Sequence, residues 1–171
     1  MATYKLISSY TVSGGGISQI SFTSIPQIYT DLVIKTSLRG ITENTTYIEL
    51  GFNGATTNIS ARNFNALSGT GVNSYAYSTD LLDIAGQNTP NWTASTFSNA
   101  EYIITNYTAG VHKVVSMDSF SGNITSTAYM GFTSGQYASN TAITSVQIIA
   151  SGGSDTFATN STAFLYGIAN A

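Results

Sequence analysis

The chain has 171 residues, of which 42% are hydrophobic and only 8% are charged, and its net charge at pH 7 is −3. An average globular protein carries roughly 25% charged residues, so this polar surface must be built from Ser, Thr, Asn, Gln and Tyr. The five basic residues are scattered, which argues against a nucleic-acid partner because phosphate neutralisation needs a basic footprint. The chain contains no run of 18 apolar residues, which a membrane-spanning helix would need. We therefore expect no membrane partner.

Alternation of apolar and polar residues recurs along the chain, whereas helical periodicity is hard to find. The clearest case is Thr30–Arg39, where Leu32, Ile34 and Leu38 fall on one side. The other side is expected to face solvent and carries Asp31, Val33, Lys35, Ser37 and Arg39. Further strands are predicted, in chain order, at Tyr4–Val12, Ile17–Phe22, Thr46–Asn53, Tyr75–Asp83, Thr96–Asn106, Val111–Phe120, Ser126–Thr133, Ala142–Ala150 and Thr162–Ile168.

Turn residues separate these strands. The glycines after Ser13 predict a hairpin between the first two strands, and Asn53-Gly54 is a strong turn signal. From Gly54 to Ala100 the pattern is irregular apart from the short strand at Tyr75. No linker divides the chain, so residues 1–171 are predicted to form a single all-β domain, a sandwich or barrel of roughly eight to ten strands. The first and last strands are expected to pair with each other.

No residue pattern in the sequence predicts a catalytic site. His112, Ser116 and Asp118 share one face of a predicted strand, but four residues of strand separate His112 from Ser116 by about 13 Å, too far for a hydrogen bond. Glu49 and Glu101 could form a carboxylate pair of the glycosidase type, although nothing in the sequence brings them together. One His and no Cys cannot form a zinc site. We therefore expect no enzyme, cofactor or metal.

The aromatic residues of the irregular region leave three interpretations open. Tyr75, Tyr77 and Trp92 could form a platform that stacks on a host glycan. They could equally anchor a contact with another protein, because Trp and Tyr are enriched at interface centres. The third interpretation is that these rings fold back and cover the sandwich.

Several short motifs of this chain resemble a group of tailed-bacteriophage virion proteins. The motif Phe-Thr-Ser-Ile-Pro-Gln-Ile-Tyr-Thr-Asp-Leu begins at Phe22, and a strand that ends in Phe-Asn-Gly occupies Tyr47–Gly54. Ile103–Tyr107 is similar to a further strand of that group, and the ending Phe164–Ile168 matches its terminal Tyr-Gly-Ile. The chain departs from the group at Gly51, where many members carry Arg.

This resemblance implies a jelly-roll-like antiparallel β-sandwich located in a virion. It implies a capsid decoration (cement) protein that binds the major capsid protein on the outer face of the shell. A homotrimer is the expected assembly, and its expected location is the capsid exterior. The alternative is a tail-fibre or receptor-binding module that recognises a host-surface glycan. No residue roles transfer with the resemblance, because none of the shared motifs is catalytic.

Overall fold

The computed structural model describes residues 3–14, 16–41, 47–55, 57–67, 71–77, 82–84, 90–123, 128–151 and 155–169. These residues form strands and turns without any helix, and the strands make two antiparallel sheets. The prediction of an all-β sandwich is therefore confirmed.

The larger sheet contains eight strands. In chain order these are β1 (Thr3–Thr11), β3 (Asp31–Leu38), β5 (Ile59–Leu67), β6 (Gly71–Tyr77), β8 (Ser98–Ile104), β9 (Lys113–Gly122), β10 (Ala128–Tyr137) and β12 (Thr162–Ala169). The smaller sheet contains β2 (Gln19–Phe22), β4 (Tyr47–Phe52), β7 (Leu82–Ile84) and β11 (Val146–Ser151).

The strand order identifies the sandwich as a jelly roll. One sheet runs β1-β12-β3-β8 and the other runs β2-β11-β4-β7, so successive strands of the chain cross between the two sheets as in a double Greek key. The larger sheet then continues beyond β8 as β9-β10-β5-β6. We call these last four strands the extension. They arise from two insertions, one between β4 and β7 and one between β8 and β11.

The core lies between the two sheets and uses the alternation that the sequence shows. In β3, Leu32, Ile34 and Leu38 are completely buried, and in β4 Leu50 and Phe52 are as well. All five belong to one hydrophobic cluster that takes side chains from both sheets. Burial of such apolar surface is the main favourable term in folding.

Two further predictions about connections are confirmed. β1 pairs with β12 along its length, from Thr3 opposite Ala169 to Thr11 opposite Thr162. The turn at Asn53-Gly54 is a two-residue hairpin in which both residues have positive φ, 54° and 74°. This backbone is the type I′ turn that Asn-Gly favours.

Other predictions were wrong in detail. The first two strands do not form a hairpin, because β1 pairs with β12 and β2 pairs with β11 in the opposite sheet. The region after Gly54 is not irregular throughout, since β5 and β6 form a regular ladder there. The predicted strand Ala142–Ala150 begins only at Val146. The described part of the chain thus contains twelve strands, where eight to ten were predicted.

Candidate interaction surface

The loop before β8, residues 90–97, contains the single tryptophan and is held by Arg39. We call it the tryptophan loop. The Arg39 guanidinium donates hydrogen bonds to the carbonyl oxygens of Trp92 (3.3 Å), Thr93 (3.1 Å) and Thr96 (2.7 Å). The expectation that Arg39 lies on a solvated strand face was wrong, because β3 ends at Leu38 and the side chain turns to the loop. A loop fixed by one guanidinium is pre-organised, with Trp92 half-buried in it.

The structure places the other two aromatic candidates far from this loop. Tyr75 is exposed and lies in β6, the last strand of the extension. Four strands separate β3 from β6, which corresponds to about 24 Å across the sheet. The backbone of Tyr77 pairs with Ala61, and its side chain lies outside the described part of the structure. A shared glycan platform of these rings would have to span the extension, and it stays a prediction.

The extension carries polar side chains on its buried face. Asn63 of β5, Ser119 and Ser121 of β9, and Thr133 of β10 are all buried. The Asn63 amide donates to the Thr133 hydroxyl at 2.8 Å, which satisfies both groups in the interior. A buried strand face is ordinarily the apolar one. The alternation is therefore reversed over this part of the extension, whereas Ala61, Val115 and Met117 keep the inner face apolar elsewhere.

Part of the opposite, outward face of the extension is apolar. Phe132 of β10 stands directly opposite Phe64 of β5, and Met130 stands opposite both Phe120 of β9 and Ala66 of β5. Ala66 is in turn opposite Val72 of β6. Directly opposed residues of an antiparallel pair share a face with their Cβ atoms about 5 Å apart. These neighbours therefore form one continuous surface, the outer apolar patch: Phe64, Ala66, Val72, Phe120, Met130 and Phe132.

The patch is large for a surface of one chain. Its three phenylalanines are 50–53% exposed, Met130 is 48% exposed and Val72 is 74% exposed. At about 200 Å² per aromatic side chain, the three rings alone expose roughly 300 Å². With Met130 and Val72 the patch approaches 500 Å², which is near the upper end of about 300–600 Å² for the largest patch of a typical monomer. The largest apolar patch of a protein is often functional.

Charged residues border the patch along the same face. Asp118 of β9 lies directly between Glu101 of β8 and Phe132 of β10. Glu101 forms an ion pair with Lys35 at 2.6 Å, and its hydrogen bond and charge raise the pKa of Lys35. Arg62 of β5 lies on the other side of β10 and donates from Nε to the Ser74 hydroxyl at 3.1 Å. Neither Arg62 nor Asp118 forms an ion pair with another described residue.

The catalytic candidates of the sequence are dispersed. His112 precedes β9 and is exposed, with its Nδ1 at 3.5 Å from the Gln136 amide. Ser116 and Asp118 follow along the outward face of the same strand. Glu49 lies in β4 of the smaller sheet, whereas Glu101 lies in β8 of the larger sheet. The structure does not bring these two carboxylates together as a pair.

Within the described ranges, no group of three or more His, Cys, Asp or Glu side chains could hold a metal ion. The described part of the chain likewise contains no helix able to span a bilayer.

No protein-family model matches this chain, and no curated protein is similar to it in sequence. The resemblance to phage virion proteins therefore stays an expectation. The outward face of the extension combines an apolar patch, a border of a few charged residues and neutral polar residues around them. This chemistry suits the binding of another protein surface.

Proposed function

We propose that this protein is a structural virion protein of a tailed bacteriophage, a capsid decoration protein that binds the outer face of the shell. The motifs around Phe22 and Tyr47 support the proposal, and so does the jelly-roll topology. The observation that carries it is the outer apolar patch of the extension. A sheet that buries Asn63 and Thr133 while it exposes Phe64 and Phe132 offers an apolar surface for contact with other protein.

In this role the protein acts by mass action. A protein that binds the closed shell and not its dissociated parts stabilises the shell by RT ln(1 + [L]/Kd), which is about 2.7 kcal/mol at a hundredfold excess over Kd. The low charge assists, because neutral hydroxyl and amide groups cost less to desolvate than ions. The partners are the major capsid protein and further copies of this chain, with a homotrimer as the expected unit.

Locating the protein in intact particles tests the proposal directly. Density for a jelly roll on the outer shell, at hundreds of copies per particle, is the expected result. Shells that lack the protein should release their DNA at a lower temperature than complete particles, and added protein should restore the release temperature. A handful of copies confined to the tail, or shells equally stable without the protein, would refute the decoration role.

The tryptophan loop, which the Arg39 hydrogen bonds hold in place, favours a second candidate function. This is a tail module that binds host-surface glycan. Arg39 fixes the backbone around Trp92, and a rigid aromatic side chain is a suitable stacking surface for a sugar ring. Binding of the isolated protein to host polysaccharide should then be lost in Trp92→Ala. It should persist in Tyr47→Ala, which removes an exposed ring from the smaller sheet. Equal binding by both variants would exclude the tryptophan loop as the glycan site.

A further inference from the structure

Two charged groups on the outward face of the extension lack a counter-ion within the described structure. Asp118 stands directly opposite Glu101 across β8 and β9, and like charges so placed repel each other. Lys35 pairs with Glu101 and leaves Asp118 without a cation. The Arg62 guanidinium makes one hydrogen bond, to a neutral hydroxyl. The face thus presents one cation and one carboxylate that a partner could neutralise.

The two charges lie on opposite sides of the patch strand β10. Arg62 of β5 is paired with Ser134 of β10, and Asp118 of β9 is paired with Phe132 of β10. Arg62 and Asp118 are therefore two strand spacings apart across the sheet and offset by two residues along the strands. With about 4.8 Å between strands and about 3.4 Å per residue, their Cα atoms are roughly 12 Å apart. The midpoint falls on β10 between Phe132 and Ser134, at the border of the outer apolar patch.

This placement is self-complementary under a twofold axis. Consider a twofold axis that lies in the contact plane, passes through that midpoint and is perpendicular to the line from Arg62 to Asp118. A second copy laid face to face on the first about this axis places its Asp118 opposite Arg62 and its Arg62 opposite Asp118. The same axis passes between Phe64 and Phe132 of the outer apolar patch, so Phe64 of each copy lies near Phe132 of the other. An isologous contact of this kind uses one patch twice and closes on two copies.

We propose that the outer apolar patch binds a second copy of this chain face to face, with Arg62 of each copy paired to Asp118 of the other. This names a partner for the outer apolar patch. It rests on the proposed function in one respect, namely that the patch is a contact surface. Within a trimeric arrangement on a shell, the twofold contact joins copies of neighbouring trimers.

The area of the patch indicates a contact of modest affinity. A standard interface buries about 800 Å² on each partner, and the patch supplies roughly 500 Å² of apolar surface. The pair should therefore dissociate in dilute solution and form at high local concentration. On a shell the protein would be held at such a concentration, because each bound copy is tethered near its neighbours.

Charge reversal with complementation tests the pairing. Sedimentation velocity over a range of concentrations should show reversible dimerisation of the wild-type chain. Arg62→Asp and Asp118→Arg should each raise the dimer Kd at least tenfold, because every contact then opposes like charges. An equimolar mixture of the two variants should restore dimers, and so should the double variant R62D/D118R. Lys5→Asp is the matched control, since it reverses an exposed charge on β1, at the other edge of the sheet.

Several outcomes would overturn the inference. They are a wild-type chain that stays monomeric up to millimolar concentration, single variants that dimerise like the wild type, and mixtures that fail to regain dimers. Circular dichroism of each variant confirms that the exposed substitutions leave the fold intact. The result is separate from shell binding, because a protein that decorates shells without self-association refutes this contact alone. Dimers that form without any shell binding refute only the decoration role.

Discussion

Lys113 offers the sharpest test of how the loops at one end of the sandwich are held. The side chain is completely buried at the start of β9. Its Nζ donates hydrogen bonds to the carbonyl oxygens of Ala109 (2.8 Å), Ser139 (3.1 Å) and Thr141 (2.6 Å). One ammonium thus joins the loop before β9 to the loop after β10. Lys113→Met keeps the length of the side chain and removes all three donors.

The expected cost follows from the groups left behind. Each carbonyl deprived of its donor costs about 1–3 kcal/mol if it stays dry, so the ceiling is about 9 kcal/mol. Two effects reduce this figure. Ala109, Ser139 and Thr141 are at least partly exposed, so water can reach their carbonyls. Removal of a buried ammonium also returns its desolvation penalty of several kcal/mol. We expect Lys113→Met to lower the free energy of unfolding by about 2–4 kcal/mol.

Urea denaturation at pH 7 measures this loss, and Lys5→Met is the matched control. Lys5 is an exposed lysine of β1, so its replacement should change the free energy of unfolding by no more than about 0.5 kcal/mol. If Lys113→Met proves as stable as the wild type, the three hydrogen bonds do not outweigh the cost of burying the charge. The reasoning would then be refuted.

The pH dependence provides a second check on Lys113. Burial lowers its pKa below the ordinary value of 10.5, so between the two values the unfolded chain binds more protons than the folded chain. The wild type therefore gains stability as pH rises through that window, and Lys113→Met does not. Its deficit relative to the wild type should grow as pH approaches 10.5. A deficit that shrinks over the same range would contradict the lowered pKa.

Three further substitutions test contacts described above. Arg39→Met should lower the free energy of unfolding by about 1–3 kcal/mol and speed amide exchange in the tryptophan loop, whereas unchanged exchange would show that the loop holds itself. Gly167→Ala should cost about 1–3 kcal/mol because its Cβ would overlap the Tyr29 ring, and a double variant with Tyr29→Ala should recover part of that cost. Lys35→Met should cost at most about 1 kcal/mol, since exposed ion pairs contribute little. The raised pKa of Lys35 means that this contribution is complete below pH 10.5 and is lost as pH rises through the folded value. The difference in thermal unfolding between the two proteins should therefore be present at pH 7 and shrink as pH is raised beyond 10.5.

The core strands could be predicted because burial imposes a period of two on a strand in a two-layer fold. Alternation alone predicts Leu32, Ile34 and Leu38 in the core, and all three are completely buried. The same logic failed for Val33, which was placed on the solvent side but is completely buried as well. Val33 stands between Tyr166 of β12 and Ile103 of β8, and large neighbours on an outward face can cover a smaller side chain.

The outer apolar patch could not be found from alternation, because alternation shows two faces without telling which one is buried. β5 reads as a polar segment, since Asn63 is inside and Phe64 is outside. One signal was present in β9, where Phe120 shares a strand face with Ser116 and Asp118. A large ring on a face that otherwise looks solvated is evidence for a contact surface.

Arg39 illustrates a different limit of sequence reasoning. The hydrogen-bond partners of its guanidinium lie 53 to 57 residues later in the chain. A local pattern describes the strand that carries the arginine and contains no information about a distant loop. The hydrogen bonds from Arg39 to the tryptophan loop can be recognised only when the order of the strands is known.

The positions of the last two strands restrict how this protein can be made. β12 is inserted between β1 and β3, and β11 between β2 and β4. While the chain is still on the ribosome, neither sheet can be completed from its early strands, which must wait for residues more than 100 positions later. Non-local pairing of this kind folds slowly and leaves strand edges open during the delay. Efficient production in a cell should therefore depend on how fast synthesis reaches the final strands and on chaperones that shield the waiting edges.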